Sequence, residues 1–113
     1  MNDPLPIEID VQSVHSLRQS STEFLLLDCR EIEEWNTARI EDAVLIPMSR
    51  ITESLAQVEP YRQKRIVVHC HHGGRSLRVT RWLRQQGFDQ AQNMTGGIEA
   101  WSEKIDPQVP RYQ

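Results

Sequence analysis

The residues with the clearest chemical potential lie together in one short segment, residues 70–76, which reads Cys-His-His-Gly-Gly-Arg-Ser. The segment follows the apolar run of residues 66–68 and precedes a stretch typical of a helix, so Cys70 is predicted at the end of a strand. Free N–H groups and the positive end of the helix dipole would stabilise a negative charge on its sulfur. We therefore expect Cys70 to be a nucleophilic thiolate, with its pKa lowered from ~8.5 into the range ~3.5–7.5.

The other loop residues have types that suit the binding of an anion. Gly73 and Gly74 are expected to take positive φ angles, which would let successive N–H groups converge on one point. Such a cradle would hold an anion, whether a persulfide, a sulfonate or a phosphate. Arg75 could bring a permanently charged fork to a bound oxyanion. Ser76 either hydrogen-bonds the sulfur or supports the first turn of the helix, and the sequence leaves both interpretations open.

Three histidines surround the nucleophile, and they raise the question of a metal site. Adjacent residues of a strand point to opposite faces, and structural zinc sites use spaced pairs of ligands, so we predict no metal here. His69 is expected to fill space in the strand. His71 and His72 are expected to line the mouth of the pocket, where they could donate hydrogen bonds to a donor's oxyanion. A proton-transfer role for either of them stays open.

The spacing within the loop bears on an alternative chemistry. Cysteine phosphatases also combine a cysteine loop with an arginine at a helix start, and they place five residues between the two. Here four residues separate Cys70 from Arg75. A ring that is one residue smaller should hold a single sulfur atom and crowd a phosphate, which favours sulfur transfer over phosphate hydrolysis.

The composition predicts one domain over residues 1–113, with a core at about residues 7–104 and an extended tail at residues 105–113. The 13 basic and 16 acidic residues give a net charge of −3, which argues against nucleic-acid binding. No apolar run reaches about 18 residues, so no membrane span is expected. The N-terminus does not resemble a secretory signal, and the only two cysteines do not form a disulfide framework. We expect a cytoplasmic protein in which Cys29 is a small buried residue.

The elements that must position the loop alternate along the chain. The predicted strands cover residues 7–9, 24–27, 43–46, 66–68 and 91–94, and the predicted helices cover residues 11–18, 31–37, 51–58, 75–86 and 98–104. Alternation of this kind indicates an α/β fold with a parallel sheet covered on both faces. Binding sites in such sheets lie at the carboxyl ends of the strands, where residues 28–30, Cys70 and residues 95–97 would meet.

Three segments, in order, resemble the signatures of the rhodanese family over nearly the full chain. In chain order, the first is Leu27-Asp28-Cys29-Arg30 with Glu33, Ile40, Ala43 and Ile46-Pro47. The second is the active loop of residues 70–76, and the third is Thr95-Gly96-Gly97-Ile98 with Ala100-Trp101. Ala38-Arg39-Ile40 departs from the Gly-His-Ile that is frequent in this family. The resemblance implies a single rhodanese-like domain with a five-stranded, mainly parallel sheet flanked by helices.

The resemblance also implies an activity. Cys70 would take a sulfane sulfur from thiosulfate or a persulfide, the amides of residues 71–76 would cradle the resulting persulfide, and cyanide, a thiol or a protein would accept the sulfur. No metal or organic cofactor is implied, and Asp28 and Arg30 would steady loops near the site. The tail resembles the end of rhodanese domains fused to enzymes that activate sulfur-carrier proteins, which suggests a protein acceptor. The alternatives are a phosphatase or arsenate reductase using the same thiolate, and a non-catalytic binding module.

Overall fold

The computed structural model describes residues 4–113, and within them five strands and five α-helices alternate along the chain. The strands are β1 (Glu8–Ile9), β2 (Phe24–Asp28), β3 (Val44–Leu45), β4 (Arg65–His69) and β5 (Ala91–Met94). The helices are α1 (Val11–Gln19), α2 (Ile32–Thr37), α3 (Leu55–Val58), α4 (Gly74–Gln85) and α5 (Gly97–Lys104). Two short 3-10 turns, Met48–Arg50 and Glu59–Tyr61, flank α3.

The strands form one sheet in the order β1-β5-β4-β2-β3, and every neighbouring pair is parallel. The longest strands, β2 and β4, lie side by side at the centre, with Asp28 directly opposite His69 at their carboxyl ends. Nearly continuous apolar sequence is typical of strands that are covered on both faces. The edge strands β1 and β3 have only two residues each. The predicted five-stranded α/β fold is therefore confirmed, and its sheet is entirely parallel.

Two layers of apolar side chains cover the two faces of this sheet. One layer joins Leu27 and Val68 of the central strands to Leu83 of α4. The other joins Val67 to Val14 of α1 and also contains side chains from α5. Successive residues of a strand face opposite sides, so each central strand contributes to both layers. The helices thus flank both faces, as the sequence predicts.

The helix predicted over residues 51–58 is wrong in extent. A 3-10 turn and further turns occupy residues 48–54, and only Leu55–Val58 is α-helical. Ile51 and Val58 are nevertheless buried in the core. Apolar spacing indicates which residues face the core, and a series of tight turns achieves that burial here as well as a regular helix would.

The tail also differs from the expected extended segment. It turns at residues 107–108, and Val109 is only 8% exposed against the layer that contains α5. The Ser102 hydroxyl donates a hydrogen bond of 2.6 Å to the Val109 carbonyl. The packed core therefore extends past residue 104, because the tail carries apolar side chains that gain by burial. Across residues 4–113, none of the helices combines the length and the apolar character that crossing a membrane requires.

Candidate active site

Cys70 directly follows β4, and its side chain lies at the start of α4. Its sulfur accepts hydrogen bonds from the Gly73 amide at 3.1 Å, the Ser76 amide at 3.4 Å and the Ser76 hydroxyl at 3.3 Å. The residue is only 1% exposed. Two loop amides donate to the sulfur, fewer than the full set of residues 71–76 that the resemblance implies. The loop therefore surrounds a single sulfur atom, that of Cys70, with hydrogen-bond donors.

The thiol of Cys29 lies in the same core layer as this sulfur and is the largest single cause of the lowered pKa of Cys70. Its hydrogen bond, together with those from Ser76 and Gly73, outweighs the opposing effect of burial and lowers the pKa of Cys70 to about 4. The same contact, reinforced by burial, raises the pKa of Cys29. At neutral pH the pair therefore consists of a Cys70 thiolate and a protonated Cys29. Sequence reasoning placed Cys29 in the core and missed this contact.

Only one of the two loop glycines takes the conformation that the sequence predicts for both. Gly73 has a φ of +115°, which few residues other than glycine adopt, and it precedes the first helical residue. Gly74 begins α4, has no positive φ, and faces open space on the side where a Cβ would lie. The expectation for Gly74 is wrong because the helix starts one residue earlier than predicted.

The start of α5 contacts the backbone of the active loop. The amides of Ile98 and Glu99 donate to the carbonyls of Cys70 and His71 at 2.9 and 3.1 Å. Gly97 lies so close that a Cβ there would be 2.5 Å from both carbonyl oxygens. The Gly96-Gly97 motif therefore provides the space in which α5 approaches the loop.

Asn93 at the end of β5 positions Ser76, a contact that the sequence did not reveal. The Asn93 amide group donates to the Gly73 carbonyl at 3.2 Å and to Glu8 at 3.0 Å, so its carbonyl oxygen faces Ser76 and accepts the Ser76 hydroxyl. Since a hydroxyl has one hydrogen, Ser76 shares it between Asn93 and the sulfur. Ser76 therefore has two donors near the Cys70 sulfur, and only the amide is not shared with Asn93.

Asp28 and Arg30 form a fully buried ion pair at the end of β2. Arg30 Nη2 lies 2.7 Å from Asp28 Oδ2, and the same nitrogen donates to the Ala38 carbonyl at 2.6 Å. Arg30 Nη1 donates to the Tyr112 hydroxyl at 2.9 Å. The pair ties the loop after β2 to α2 and to the tail. Its role in steadying loops near the site stays a prediction.

Arg75 is engaged within the protein, which differs from the free cationic fork that the sequence suggested. Its two terminal nitrogens contact the Glu34 carboxylate at 2.6 and 2.8 Å. Tyr112 donates a third hydrogen bond, of 2.7 Å, to the same carboxylate. The Arg75 hydrogen bonds, supported by that of Tyr112, lower the pKa of Glu34 to about 2. Glu34 thus neutralises the positive charge of Arg75, which an anionic sulfur donor would otherwise meet.

The histidines divide between the core and the mouth of the site. His69 is fully buried, neither ring nitrogen has a hydrogen-bond partner within the described residues, and burial lowers its pKa. His71 stacks between His72 and Tyr112, with ring centroids 3.9 Å apart on each side, and burial lowers its pKa as well. A surface cavity of about 540 Å³, lined by His72, Glu99 and Tyr112 among others, opens beside this stack.

The argument that adjacent histidines face opposite ways is wrong for His71 and His72, because both lie beyond the end of β4. His71, His72 and Glu99 bring potential ligand atoms within 4.8 Å of one another. The prediction that the site holds no metal therefore stays a prediction.

Residues 10–104 match the family described as "Rhodanese-like domain". A protein named "Sulfurtransferase" from Allochromatium vinosum is 33% identical over 95 residues, which cover 84% of this chain and 87% of that protein. "Adenylyltransferase and sulfurtransferase MOCS3-2" from Zea mays is 31% identical over 114 residues, or 96% of this chain and 24% of that protein. The solved structure of the human single-domain sulfurtransferase TSTD1 superposes with a TM-score of 0.75 at 26% identity, and the match covers 88% of this chain and 97% of that one.

The parallel α/β sheet and the cysteine loop at the carboxyl end of its central strand agree with these matches. The chain belongs to the rhodanese-like family. It spans only 24% to 37% of the length of the first curated relatives that it matches.

Proposed function

We propose that the chain is a sulfurtransferase that carries sulfur as a persulfide on Cys70. The Cys70 thiolate attacks the outer sulfur of a donor such as thiosulfate or a persulfide, and the rest of the donor leaves as sulfite or a thiolate. An acceptor then attacks the outer sulfur and regenerates the Cys70 thiolate. The observation that carries the proposal is the Cys70 sulfur, which accepts three hydrogen bonds from Gly73 and Ser76 and has a pKa lowered to about 4.

Each displacement occurs at sulfur, so the chemistry needs no organic cofactor. The loop has to stabilise one negative charge, first on the thiolate and then on the persulfide. The donors on Gly73 and Ser76 already do so before substrate binds, so little reorganisation is required. Cys70 is itself buried, and His72 and Gly74 are the exposed residues of its loop, so the donor and the acceptor would approach past them.

The alternative of phosphate chemistry has less support from the geometry. Four residues separate Cys70 from Arg75, and Glu34 occupies both terminal nitrogens of Arg75. A phosphate dianion would need that guanidinium free and a wider ring of amides. An arsenate reductase would need the same anion site.

The deciding experiment measures the intact mass of the protein after incubation with thiosulfate or a persulfide donor, before and after a thiol reductant. We expect an increment of one sulfur atom that maps to Cys70 and disappears on reduction, and no increment in the Cys70→Ser variant. Turnover of an aryl phosphate that depends on Cys70, without sulfur uptake, would favour the phosphatase. A folded protein that takes up no sulfur from any donor would favour the non-catalytic module.

The relatives suggest where the sulfur goes. Names such as "Adenylyltransferase and sulfurtransferase MOCS3-2" and "Putative sulfur carrier protein YrkF" associate this domain with sulfur delivery to other proteins. We therefore propose a thiol or a sulfur-carrier protein as the cellular acceptor, with cyanide as an acceptor in the assay. A reducing compartment such as the cytoplasm would keep both thiols free.

A further inference from the structure

Cys29 is the second free thiol of the chain, and the sulfur-transfer cycle proposed above does not use it. It follows β2 as Cys70 follows β4, and the two strands are parallel neighbours with Asp28 opposite His69. The Cys29 amide continues the ladder by donating to the His69 carbonyl at 3.0 Å. The register therefore places Cys29 and Cys70 directly side by side.

The spacing of the two strands allows a disulfide between these residues. Adjacent strands lie about 4.8 Å apart, within the range of about 4.4–6.8 Å that Cα atoms span in disulfides. Cys29 and Cys70 follow Leu27 and Val68 by two residues each, and all four belong to the same core layer. Their side chains thus project to the same face of the sheet, where both are buried.

Burial fixes the direction from which Cys29 reaches its partner. Cys29 is 0% exposed and packs in the core, whereas donors and acceptors must approach Cys70 from the loop side. The outer sulfur of a Cys70 persulfide would therefore lie on the side away from Cys29. Displacement at sulfur proceeds by attack of one thiol on the inner sulfur as the outer sulfur leaves. Attack by Cys29 from the core and departure of the outer sulfur towards the loop would satisfy this requirement of opposite approach and departure.

We propose that Cys29 is a resolving thiol that converts the Cys70 persulfide into a Cys29–Cys70 disulfide and releases hydrosulfide. The inference rests on the persulfide of the proposed function. The bond between the Cys29 and Cys70 sulfurs forms as the bond from the Cys70 sulfur to the outer sulfur breaks. Cys29 loses its proton to solvent as it attacks, and the outer sulfur keeps the electron pair of the broken bond and is protonated by water as it leaves, so that the net products are the disulfide and HS⁻. A cellular thiol or dithiol reductant then returns both cysteines to the free form.

The charge distribution makes this step specific to the loaded enzyme. In the resting protein, the hydrogen bond to the Cys70 sulfur is the main cause that raises the pKa of Cys29. In the persulfide, the negative charge moves to the outer sulfur, farther from Cys29, and that effect weakens. The field of Arg75, which lowers the pKa of Cys29, remains. A Cys70 persulfide that meets no acceptor would thus lose its outer sulfur through reaction with Cys29.

The test uses the whole chain under anaerobic conditions. Wild type and the Cys29→Ser variant are loaded with thiosulfate or a persulfide donor, freed of excess donor, and followed by intact mass and by a sulfide assay. Serine keeps a hydroxyl at this position, and Cys29→Val provides an apolar second variant. Discharge is measured per loaded molecule, so a lower extent of loading in either variant does not enter the comparison. We expect wild type to lose the added sulfur and two hydrogen atoms with release of one HS⁻ per molecule. The variants should retain their sulfur at least ten-fold longer.

Peptide mapping of the discharged wild type should show Cys29 linked to Cys70. If wild type keeps its sulfur as long as the variants, or loses it without forming the disulfide, the resolving role is wrong while the sulfurtransferase stands. If neither wild type nor any variant gains a sulfur atom, the proposed function fails, and the resolving role fails with it. Wild type alone shows the cross-link, so the test does not depend on the stability of the variants.

Discussion

The acidity of a single thiol determines how this protein reacts with electrophiles. With its pKa lowered to about 4, Cys70 is a thiolate at neutral pH, whereas Cys29 is protonated. Nucleophilicity falls somewhat with pKa, but a thiol that is fully ionised gains no further reactivity as the pH rises. Cys70 should therefore be alkylated selectively, and its reactivity should be flat across the neutral range.

We expect the rate of alkylation of Cys70 by iodoacetamide to stay constant as the pH is lowered from neutrality and to fall only near pH 4. The Ser76→Ala variant removes one of the donors to the sulfur, so its rate should fall at a higher pH. Mass spectrometry of quenched samples gives both profiles. An unchanged profile in the variant would show that Asn93 holds the Ser76 proton. A wild-type rate that rises up to pH 8 or 9 would contradict the thiolate.

At the scale of the elements, the approach of α5 to the active loop depends on one glycine. Gly97 has a φ of +61°, and a Cβ there would lie 2.5 Å from the Cys70 and His71 carbonyl oxygens. Both the backbone strain and the overlap oppose a side chain, and the carbonyls that must move belong to the nucleophile's own loop. The loop and the helix are therefore coupled.

We expect Gly97→Ala to lower the free energy of unfolding by about 1–3 kcal/mol and to reduce sulfur uptake. Gly74→Ala is the matched control, because Gly74 lies in a helix with no atom close to its Cβ position. That variant should keep its stability or gain up to about 1 kcal/mol. Urea denaturation and the mass assay measure the two effects. Equal stability of the two variants would show that α5 does not need the close contact.

The elements that could be predicted from the sequence are those with local signals. The apolar runs of β2 and β4 indicated a parallel sheet, and the ends of α1 and α4 carry residue types that mark helix termini, since Asp10 accepts from the Ser13 amide and Gly87 has a positive φ. The contact of Glu34 with Arg75 is a contrasting case, since the sequence analysis gave Glu34 no role. Neighbouring residues of a helix point about 100° apart, so the acid that faces Arg75 depends on where α2 begins and how it packs.

At the scale of the whole molecule, Glu34 joins parts of the chain that are distant in sequence. Its carboxylate binds Arg75 of α4 and Tyr112 of the tail, and Tyr112 in turn accepts from Arg30 after β2. No local pattern predicts such contacts, because they depend on which strands lie side by side. The same reason explains why the pairing of Cys29 with Cys70 could not be predicted from the sequence.

The lowered pKa of Glu34 makes this network a source of pH-dependent stability. The carboxyl group has a pKa of about 2 in the folded state against an ordinary value of 4.5. Its contribution is therefore fully present above pH 4.5 and is lost as the pH falls towards 2. We expect Glu34→Gln to be less stable than wild type at neutral pH by about 1–2 kcal/mol, with the difference shrinking through that acidic range. Parallel losses in both proteins would place the acid sensitivity elsewhere.

The size of the sheet's two outermost strands has a consequence for the behaviour of the protein at high concentration. β1 and β3 contribute only two residues each, so the borders of the sheet offer few unpaired N–H and C=O groups to another molecule. Long, exposed borders act as templates for aggregation and fibril formation, and very short ones deny them a starting point. We therefore expect the protein to remain dispersed at high concentration.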